Sequence, residues 1–593
     1  MIVSLEKVTV YGLEREKQEI LSDLQDIGCL HVVSLRATPD KKKSGPSSES
    51  REALKFLLTC PHRRHQVHDP RKFNVEEVET KTLELRRVID LVSDKRDFLR
   101  KRIQSLRPWG DFEYPEPKEI GHLRLWFYVV PNHLKRHIKG PDLVWEIVGH
   151  DARFSYVVVI AKDEPTGMPV NRTHTGDRSL SELEDQLEDV LLELEDLQAA
   201  RASLTRWCTL FSNKIYHLED TADRFVVAEK TYDQDEIFAL QAWAPKEKRD
   251  VVEKYARDKR LVFEVEKPKP EEKPPTLLRN PPWISSGQDL VSFYMTPGYW
   301  VWDPSEIVFF SFALFFGMIL GDAGYGLILA GFLALGWRRM GHSIMGRRLR
   351  ILFAFLCLAT VFWGVILGNY FGVELKKGSF LEGLKLLELD NYMSMMKLVI
   401  LMGAAHLILA NVAYAWRKRR SLRALAPAGW VVIFLGAISV WQGPVITGSG
   451  TWKTGGFIAM IAGAVCVLFF SHTEGGFGKR MLGGFHGITN LSAAFGDTLS
   501  YLRLFALLLA TASLATTFNG LADQVYDDLG VFGVLFAMLV LVIGHGLNIL
   551  LGVTGGFIHG LRLNFIEFFK WATPEEGYPF QAFARKEKST WKT

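Results

Sequence analysis

Two arginines lie where arginine is costly. Arg503 stands in the apolar run Leu499-Ser500-Tyr501-Leu502-Arg503-Leu504-Phe505-Ala506-Leu507, and Arg562 in His559-Gly560-Leu561-Arg562-Leu563-Asn564-Phe565-Ile566-Glu567. A charge at mid-span costs about 2.5–3.5 kcal/mol on insertion scales, so such a residue marks an ion path or a pairing site. A guanidinium stays protonated, which lets it steer an ion or a passing acid without conducting protons itself. Plainer readings stand beside these. Arg562 lies nearer a helix end and either snorkels to the interface or faces a path. Arg503 has Asp497 six residues back, on a different helix face. His559 and Arg562, three apart, share a face. His406 and His545 read equally as proton relays or as satisfied packing residues. Glu567, near a span end, reads as facing water. Asp322, in Gly321-Asp322-Ala323-Gly324-Tyr325-Gly326, either caps a helix or takes up an ion.

Such groups need a membrane domain to hold them. The chain has 593 residues, 48% of them hydrophobic, and a net charge of +4. Those averages hide a division, because charged residues crowd 1–300 and long apolar stretches dominate from Ile307 onward. A bilayer core of about 30 Å needs about 20 apolar helical residues. Eight spans are expected, near 304–320, 323–337, 351–369, 396–416, 424–441, 455–471, 486–518 and 531–569. Basic residues mark alternate loops: Arg338 to Arg350, Arg417 to Arg423, Lys479 and Arg480, then Lys570, Arg585, Lys586 and Lys588. The opposite loops carry Asp322, Glu374, Asp523, Asp527 and Asp528. By the positive-inside rule both ends are cytoplasmic. Met1–Lys7 lacks a basic leader with an apolar run, which agrees. A helix over 486–518 would reach roughly 50 Å, so the last two spans must tilt or protrude.

The soluble half, 1–282, reads as two small α/β lobes joined by an antiparallel coiled coil. The near lobe combines 1–35 with 222–266, where Arg224–Ala228, Ile237–Trp243 and Leu261–Val265 flank a helix near 246–257. A loop covers 36–50, with Lys41, Lys42 and Lys43. One arm, about 75–107, repeats Leu85, Val92, Leu99 and Leu106 every seven residues and ends at Pro108. The other, about 178–215, repeats Leu183, Val190, Leu197 and Leu204, with Leu180, Leu187 and Leu194 in a second register. Narrow seams of this period bury against each other. Between them lies a distal lobe, about 119–165, with strands at His122–Val130 and Phe154–Ile160. Six prolines in 267–282 mark a boundary. An approach segment, 283–303, leads to the eight-helix domain at 304–571, and 572–593 is a cytoplasmic tail.

Several function classes fall away. No GxxxxGK[ST] occurs, and Gly475-Gly476-Phe477-Gly478-Lys479-Arg480 has the wrong spacing, so ATP chemistry belongs to other chains. A secondary transporter should show inverted repeats with broken helices at matching positions, and none is visible. A membrane-anchored scaffold with structural arginines remains as the other rival. Cys60, His62, His65 and His68 could ligate zinc, but Arg63 and Arg64 lie among them and the spacing fits no standard finger, so a solvated basic loop is expected. The five cysteines are odd in number and lack a CxxC pair, which fits a reduced compartment. No cofactor, metal or nucleic acid is expected.

At these residues the chain resembles the V/A-type ATPase stator family, subunit I of archaeal and bacterial enzymes and subunit a of eukaryotic ones. Phe315–Gly326 is similar to the family's first-span signature, and Ser500-Tyr501-Leu502-Arg503-Leu504 and His559-Gly560-Leu561-Arg562-Leu563, with Glu567 beyond, to its two arginine motifs. Pro274–Asn280 and Trp302-Asp303-Pro304 resemble its approach to the membrane. The resemblance implies that a carboxyl group on each subunit of a proteolipid ring loses its proton beside Arg503, because the cation favours the ionised form. Arg503 would also separate two aqueous half-channels. Arg562, Glu567, His559, Tyr501 and Ser500 are implied at that site, with Asp322, His406, His545 and Asp497 as possible half-channel groups. The implied partners are the proteolipid ring, peripheral-stalk subunits on the cytoplasmic lobes and a central-stalk adaptor, in a prokaryotic cell membrane. The chain departs from the eukaryotic pattern at Gly552, ten before the second arginine, and at Thr511, eight after the first. Proton versus sodium therefore stays open, as does the direction of ATP turnover.

Overall fold

Local sequence signals set the element ends, and several are visible at once. In the computed structural model Asn74 and Ser179 each cap a helix through the side chain, and Pro108 follows the end of the helix that Asn74 starts. The structure describes all residues except 37–46, 114–120, 122, 139–143, 177, 374–375, 377, 448–449, 472–486, 488–489, 573–574 and 587–593. Lys41–Lys43, His122, Glu374, the run at 475–480 and Lys588 thus lie outside the described residues. In chain order the elements of the N-terminal half are β1 (Leu5–Leu13), α1 (Lys17–Ile27), β2 (His31–Val33), α2 (Ser48–Leu58), α3 (Val75–Leu106), β3 (Arg124–Pro131), β4 (Val144–His150), β5 (Phe154–Ala161), α4 (Leu180–Leu204), α5 (Cys208–Lys230), β6 (Tyr232–Gln234), β7 (Ile237–Pro245), α6 (Arg249–Asp258) and β8 (Val262–Glu266). Then follow α7 (Ser285–Tyr294), α8 (Ser305–Leu320), α9 (Ala323–Met340), α10 (Ile344–Leu367), α11 (Tyr392–Arg417), α12 (Leu425–Thr447), α13 (Thr451–Phe470), α14 (Leu502–Leu529) and α15 (Gly533–Arg562).

The chain forms two units. The first holds Met1–Glu14, Cys29–Leu35 and Tyr232–Ala582. Its sheet has the order β2-β7-β1-β8, with β6 also on β7. Antiparallel pairing sets Val8 opposite Ala242 and Val10 opposite Leu240, which buries one face of β1 by simple alternation. Lys7 bonds both Glu272 and Glu266 beside this sheet. The Glu272 carboxylate pushes the Lys7 ammonium up, and Lys7 in turn holds Glu272 below the usual carboxylate range.

Helices α7–α15 complete that unit. Among the described residues, five helical stretches are long and apolar enough to cross a membrane: Ile344–Leu367, Tyr392–Arg417, Leu422–Gly443, Thr451–Phe470 and Asn490–Ala572. The last holds both α14 and α15, and Ser305–Leu320 is apolar but shorter. One expectation is corrected here. No single helix runs over 486–518: the helix at 490–499 gives way to a turn at 500–501, and α14 starts afresh at Leu502. Arg503 therefore sits in the first turn of a helix rather than midway along one.

The second unit holds Arg15–Gly28, Arg36–Thr231 and Phe583–Thr593. Helices α3 and α4 pack side by side, with Val92, Leu99, Leu106, Leu183 and Val190 in one core. They run antiparallel, since Arg107 past the end of α3 lies 3.9 Å from Glu184 near the start of α4. At the other end Ala53, Leu57, Phe211 and Ile215 bury Cys208, whose thiol is pushed up to about 11 by that burial. The far lobe is a three-stranded sheet, β3-β5-β4. Its strand β4 has no counterpart among the strands expected from sequence, and Arg224–Ala228, expected with the α/β unit, is the end of helix α5.

Candidate functional site

The backbone around Arg503 is tightened before the arginine is reached. Tyr501 N–H donates to the Thr498 carbonyl (3.3 Å), Arg503 N–H to Ser500 (3.3 Å) and Leu504 N–H to Tyr501 (2.9 Å), all at three-residue spacing. Such a turn between helices often marks a working position. Tyr501 is fully buried and locks it. Its ring lies against Gly403 of α11, where a Cβ would sit 2.6 Å from the ring. Its hydroxyl bonds His406 Nδ1 at 2.7 Å, and that imidazole stacks on Phe568, with centroids 4.4 Å apart and planes 7° apart. His406 Nε2 has no hydrogen-bond partner among the described residues.

Arg562 closes α15, and the helix then changes type. Residues Leu563–Phe568 form a π turn. Leu563 N–H still reaches His559, four back, whereas Phe569 N–H reaches Asn564, five back. Asn564 is fully buried within this turn: its amide Nδ2 donates to the Gly560 carbonyl (3.0 Å), and its Oδ1 accepts from Ser311 of α8 (2.5 Å). Glu567 is 3% exposed and has Ser500 within hydrogen-bonding reach. Arg562 and Glu567 are both within electrostatic reach of Arg503, and both arginines act on His559. Arg503 Nη1, His559 Nδ1 and Glu567 Oε2 are buried without a hydrogen-bond partner among the described residues. The structure thus brings Ser500, Arg503, His559, Arg562 and Glu567 together. Asp497 is turned elsewhere, accepting from Lys570 Nζ (2.9 Å) and Trp571 Nε1 (2.8 Å).

A second polar cluster lies well along α15 from the first, His545 being 17 residues before Arg562, which at 1.5 Å per residue is about 25 Å. Here Asn548, Tyr325, His545 and Asn519 bond in a chain, although Asn548 Oδ1 has no hydrogen-bond partner among the described residues. Asn548 Nδ2 donates to the Tyr325 hydroxyl (3.0 Å), which must then donate to His545 Nδ1 (2.6 Å). Asn519 Nδ2 donates to the Phe371 carbonyl (2.7 Å), leaving its Oδ1 to accept from His545 Nε2 (3.0 Å). The network satisfies a neutral imidazole with one tautomer. Asp322 caps α9 by accepting from Tyr325 N–H (3.0 Å), and its carboxylate also faces the N–H groups of Gly324, Phe371 and Gly372. The two departures from the eukaryotic pattern touch each other: a Cβ on Gly552 would lie 3.4 Å from the Thr511 methyl and 2.6 Å from a Leu320 methyl, so any side chain there would have to push Leu320 aside.

Sequence reasoning missed Asn564, Ser311, Tyr325, Asn519 and Asn548. Their only signal was polarity inside apolar runs. Among the described residues no group of three His, Cys, Asp or Glu side chains is placed to hold a metal ion; Cys60 is buried, with Sγ 3.4 Å from the His62 carbonyl.

No family model matches the chain. V-type ATP synthase subunit I of Chlamydia trachomatis is 27% identical over 666 residues, spanning 96% of this chain and 97% of the relative. The subunit of the same name from Borreliella burgdorferi is 23% identical over 614 residues, spanning 99% and 100%. A-type ATP synthase subunit I of Methanocaldococcus jannaschii is 28% identical over 461 residues, spanning 70% and 65%. A crystal structure of the cytoplasmic N-terminal domain of subunit I, homologue of subunit a of V-ATPase, aligns with 44% of this chain at 16% identity and a TM-score of 0.21. Over nearly its whole length, then, the chain is similar to subunit I of V-type and A-type ATP synthases.

Proposed function

We propose that this chain is the membrane stator subunit of a V/A-type rotary ATPase, with eight spans and both ends cytoplasmic. In this reading it is not itself catalytic, and it couples ion passage to ATP turnover on partner subunits. The observation that carries the reading is the set of unpartnered buried atoms on Arg503, His559 and Glu567. Buried polar atoms are almost always paired, so three at one place call for water or a visiting group. Charge points the same way. Two guanidiniums and one carboxyl group leave at least one positive charge uncompensated, whichever way Glu567 titrates. One carboxylate from a neighbouring chain would complete the set. The lipid-side surface supports this, since Leu547, Leu550, Leu551 and Ile558 leave α15 an exposed apolar face on which a ring of apolar helices could turn.

Arg503 is then the fixed cation that favours the ionised form of each passing ring carboxyl group and blocks a direct leak. Arg562 and Glu567 tune the field around it. Asp322 and His545 hold the other end of the helices together, since Asp322 caps α9 through Oδ1 and both ring nitrogens of His545 are bonded, while Asp322 Oδ2 has no hydrogen-bond partner among the described residues. The cytoplasmic unit of α3, α4 and the far sheet would take the peripheral stalk, and the near sheet the central-stalk adaptor. The test is ATP-driven ion uptake by the purified complex in vesicles. Arg503→Ala should lower uptake by about 100-fold, the scale of removing one preorganised charge-stabilising group, with the complex still assembled. Normal uptake would instead favour a scaffold with structural arginines.

A further inference from the structure

We infer that Asn564, braced by Ser311, is a positioning residue whose side chain holds the π turn that brings Glu567 round to the arginines. The inference rests on the ion-path reading above and deepens it. On an α-helix of 3.6 residues per turn, positions five apart point about 140° away from each other. Arg562 and Glu567 are five apart, so an unbroken α-helix would turn the carboxyl group away from the site. A turn bonded five residues back sets such positions side by side instead. The slip in register occurs within six residues, between the Leu563 bond to His559 and the Phe569 bond to Asn564.

Asn564 supplies a physical cause. Its Nδ2 takes the Gly560 carbonyl, which in an α-helix belongs to the N–H of residue 564. A side chain that occupies the carbonyl four residues back competes with the helical ladder and bends it. The Gly560 carbonyl, which can only accept, sets which side Nδ2 takes, and Ser311 braces Oδ1 from the other side with a hydroxyl proton shared between Oδ1 (2.5 Å) and the Ile307 carbonyl (2.7 Å). Both groups are buried, so neither bond has water as a ready substitute. Asn564 itself has no part in the path. It acts through the angle at which Glu567 is presented.

The experiment uses the whole complex in vesicles and reads ion uptake per ATP hydrolysed, with the amount of subunit in the purified complex as the measure of assembly. Asn564→Val removes the amide at similar size, and Asn564→Thr restores a hydroxyl able to reach the carbonyl four back. Deleting Asn564 removes the surplus residue, so that Glu567 falls four after Arg562 on a plain α-helix and regains the same side. Misplacing a reacting group costs about tenfold or more, so Asn564→Val should lose uptake by that factor. Asn564→Thr should stay within about twofold of the parent, as hydrogen bonding is restored. The deletion should outperform Asn564→Val, which no purely structural role would produce. Parental uptake by Asn564→Val overturns the inference, as does Asn564→Thr no better than Asn564→Val. If Asn564→Val leaves the complex unassembled, the deletion decides: uptake supports the inference and silence overturns it. Arg503→Ala runs alongside, and normal uptake there would mean that the ion-path reading has failed rather than this one.

Discussion

Two helix pairs in the same apolar domain are built on opposite terms. Helices α12 and α13 meet through glycines spaced seven apart, Gly429 and Gly436 on one and Gly456 and Gly463 on the other. A Cβ on Gly463 would lie 2.6 Å from the Gly429 carbonyl, and one on Gly436 would lie 2.8 Å from that of Gly456, so the backbones nearly touch. Lys453 is the one charged residue that the two helices carry. Helices α14 and α15 instead hold Arg503, His545, His559 and Arg562, together with Asn519 and Asn548. Small residues let helices associate in lipid by close contact alone, whereas polar side chains there are expensive and mark function. The difference teaches where to look for work. The first pair meets by close packing, and the second gathers charged side chains at one end.

The largest effect expected from this contrast lies in the second pair. Glu567→Gln keeps the shape and removes the acid group, so it should lower ion uptake by about 100-fold or more while the melting temperature of the complex hardly moves. A comparable loss of melting temperature would make Glu567 a packing residue like the glycines, and the contrast would be broken. The next effect lies in the first pair. Gly463→Leu forces a side chain against the Gly429 carbonyl and should cost about 1–3 kcal/mol by overpacking. It should appear as a lower melting temperature and less assembled subunit, with uptake per assembled complex unchanged. Normal melting with impaired uptake would show that the hairpin takes part in the path.

How much of this was legible in the sequence depends on whether a residue reports by period or by geometry. The seven-residue recurrence of Leu99, Leu106, Leu183 and Val190 announced the packing of α3 on α4, because a narrow apolar seam has one use. Strand β4 was illegible since nearly all of it is exposed, and no alternation distinguishes its two faces. Arg224–Ala228 read as a strand-rich segment through Phe225, Val226 and Val227, yet the preceding helix carries straight through it, tertiary context overriding propensity. In the site, the arginines were plain because charge in an apolar run is rare. The tight turn at Ser500–Tyr501 and the π turn after Arg562 were not, because a slip of one residue leaves no trace in composition or period. Glu567 could be tied to the site from sequence only by resemblance, and its place beside the arginines needed the backbone.

The smallest expected effect tests the contrast within α15 itself, between the end that gathers charged side chains and the end where both ring nitrogens of His545 are bonded. Tyr325→Phe deletes a hydroxyl that accepts from Asn548 and donates to His545. Asn548 keeps its bond to the Thr511 carbonyl (2.8 Å), so only one of its donors is stranded, while His545 Nδ1 loses its donor. Leaving such groups unsatisfied costs about 1–3 kcal/mol, reduced here because His545 is only half-buried and open to water on one side. A drop of a few degrees in melting temperature with ion uptake unchanged is therefore expected, a loss of hold without a loss of traffic. If uptake fell as far as in Glu567→Gln while melting stayed put, the hydroxyl would be passing protons to His545 rather than pinning it. The His545 end of the helix would then belong to the ion path, and the gathering of charged side chains would no longer separate working polar groups from structural ones.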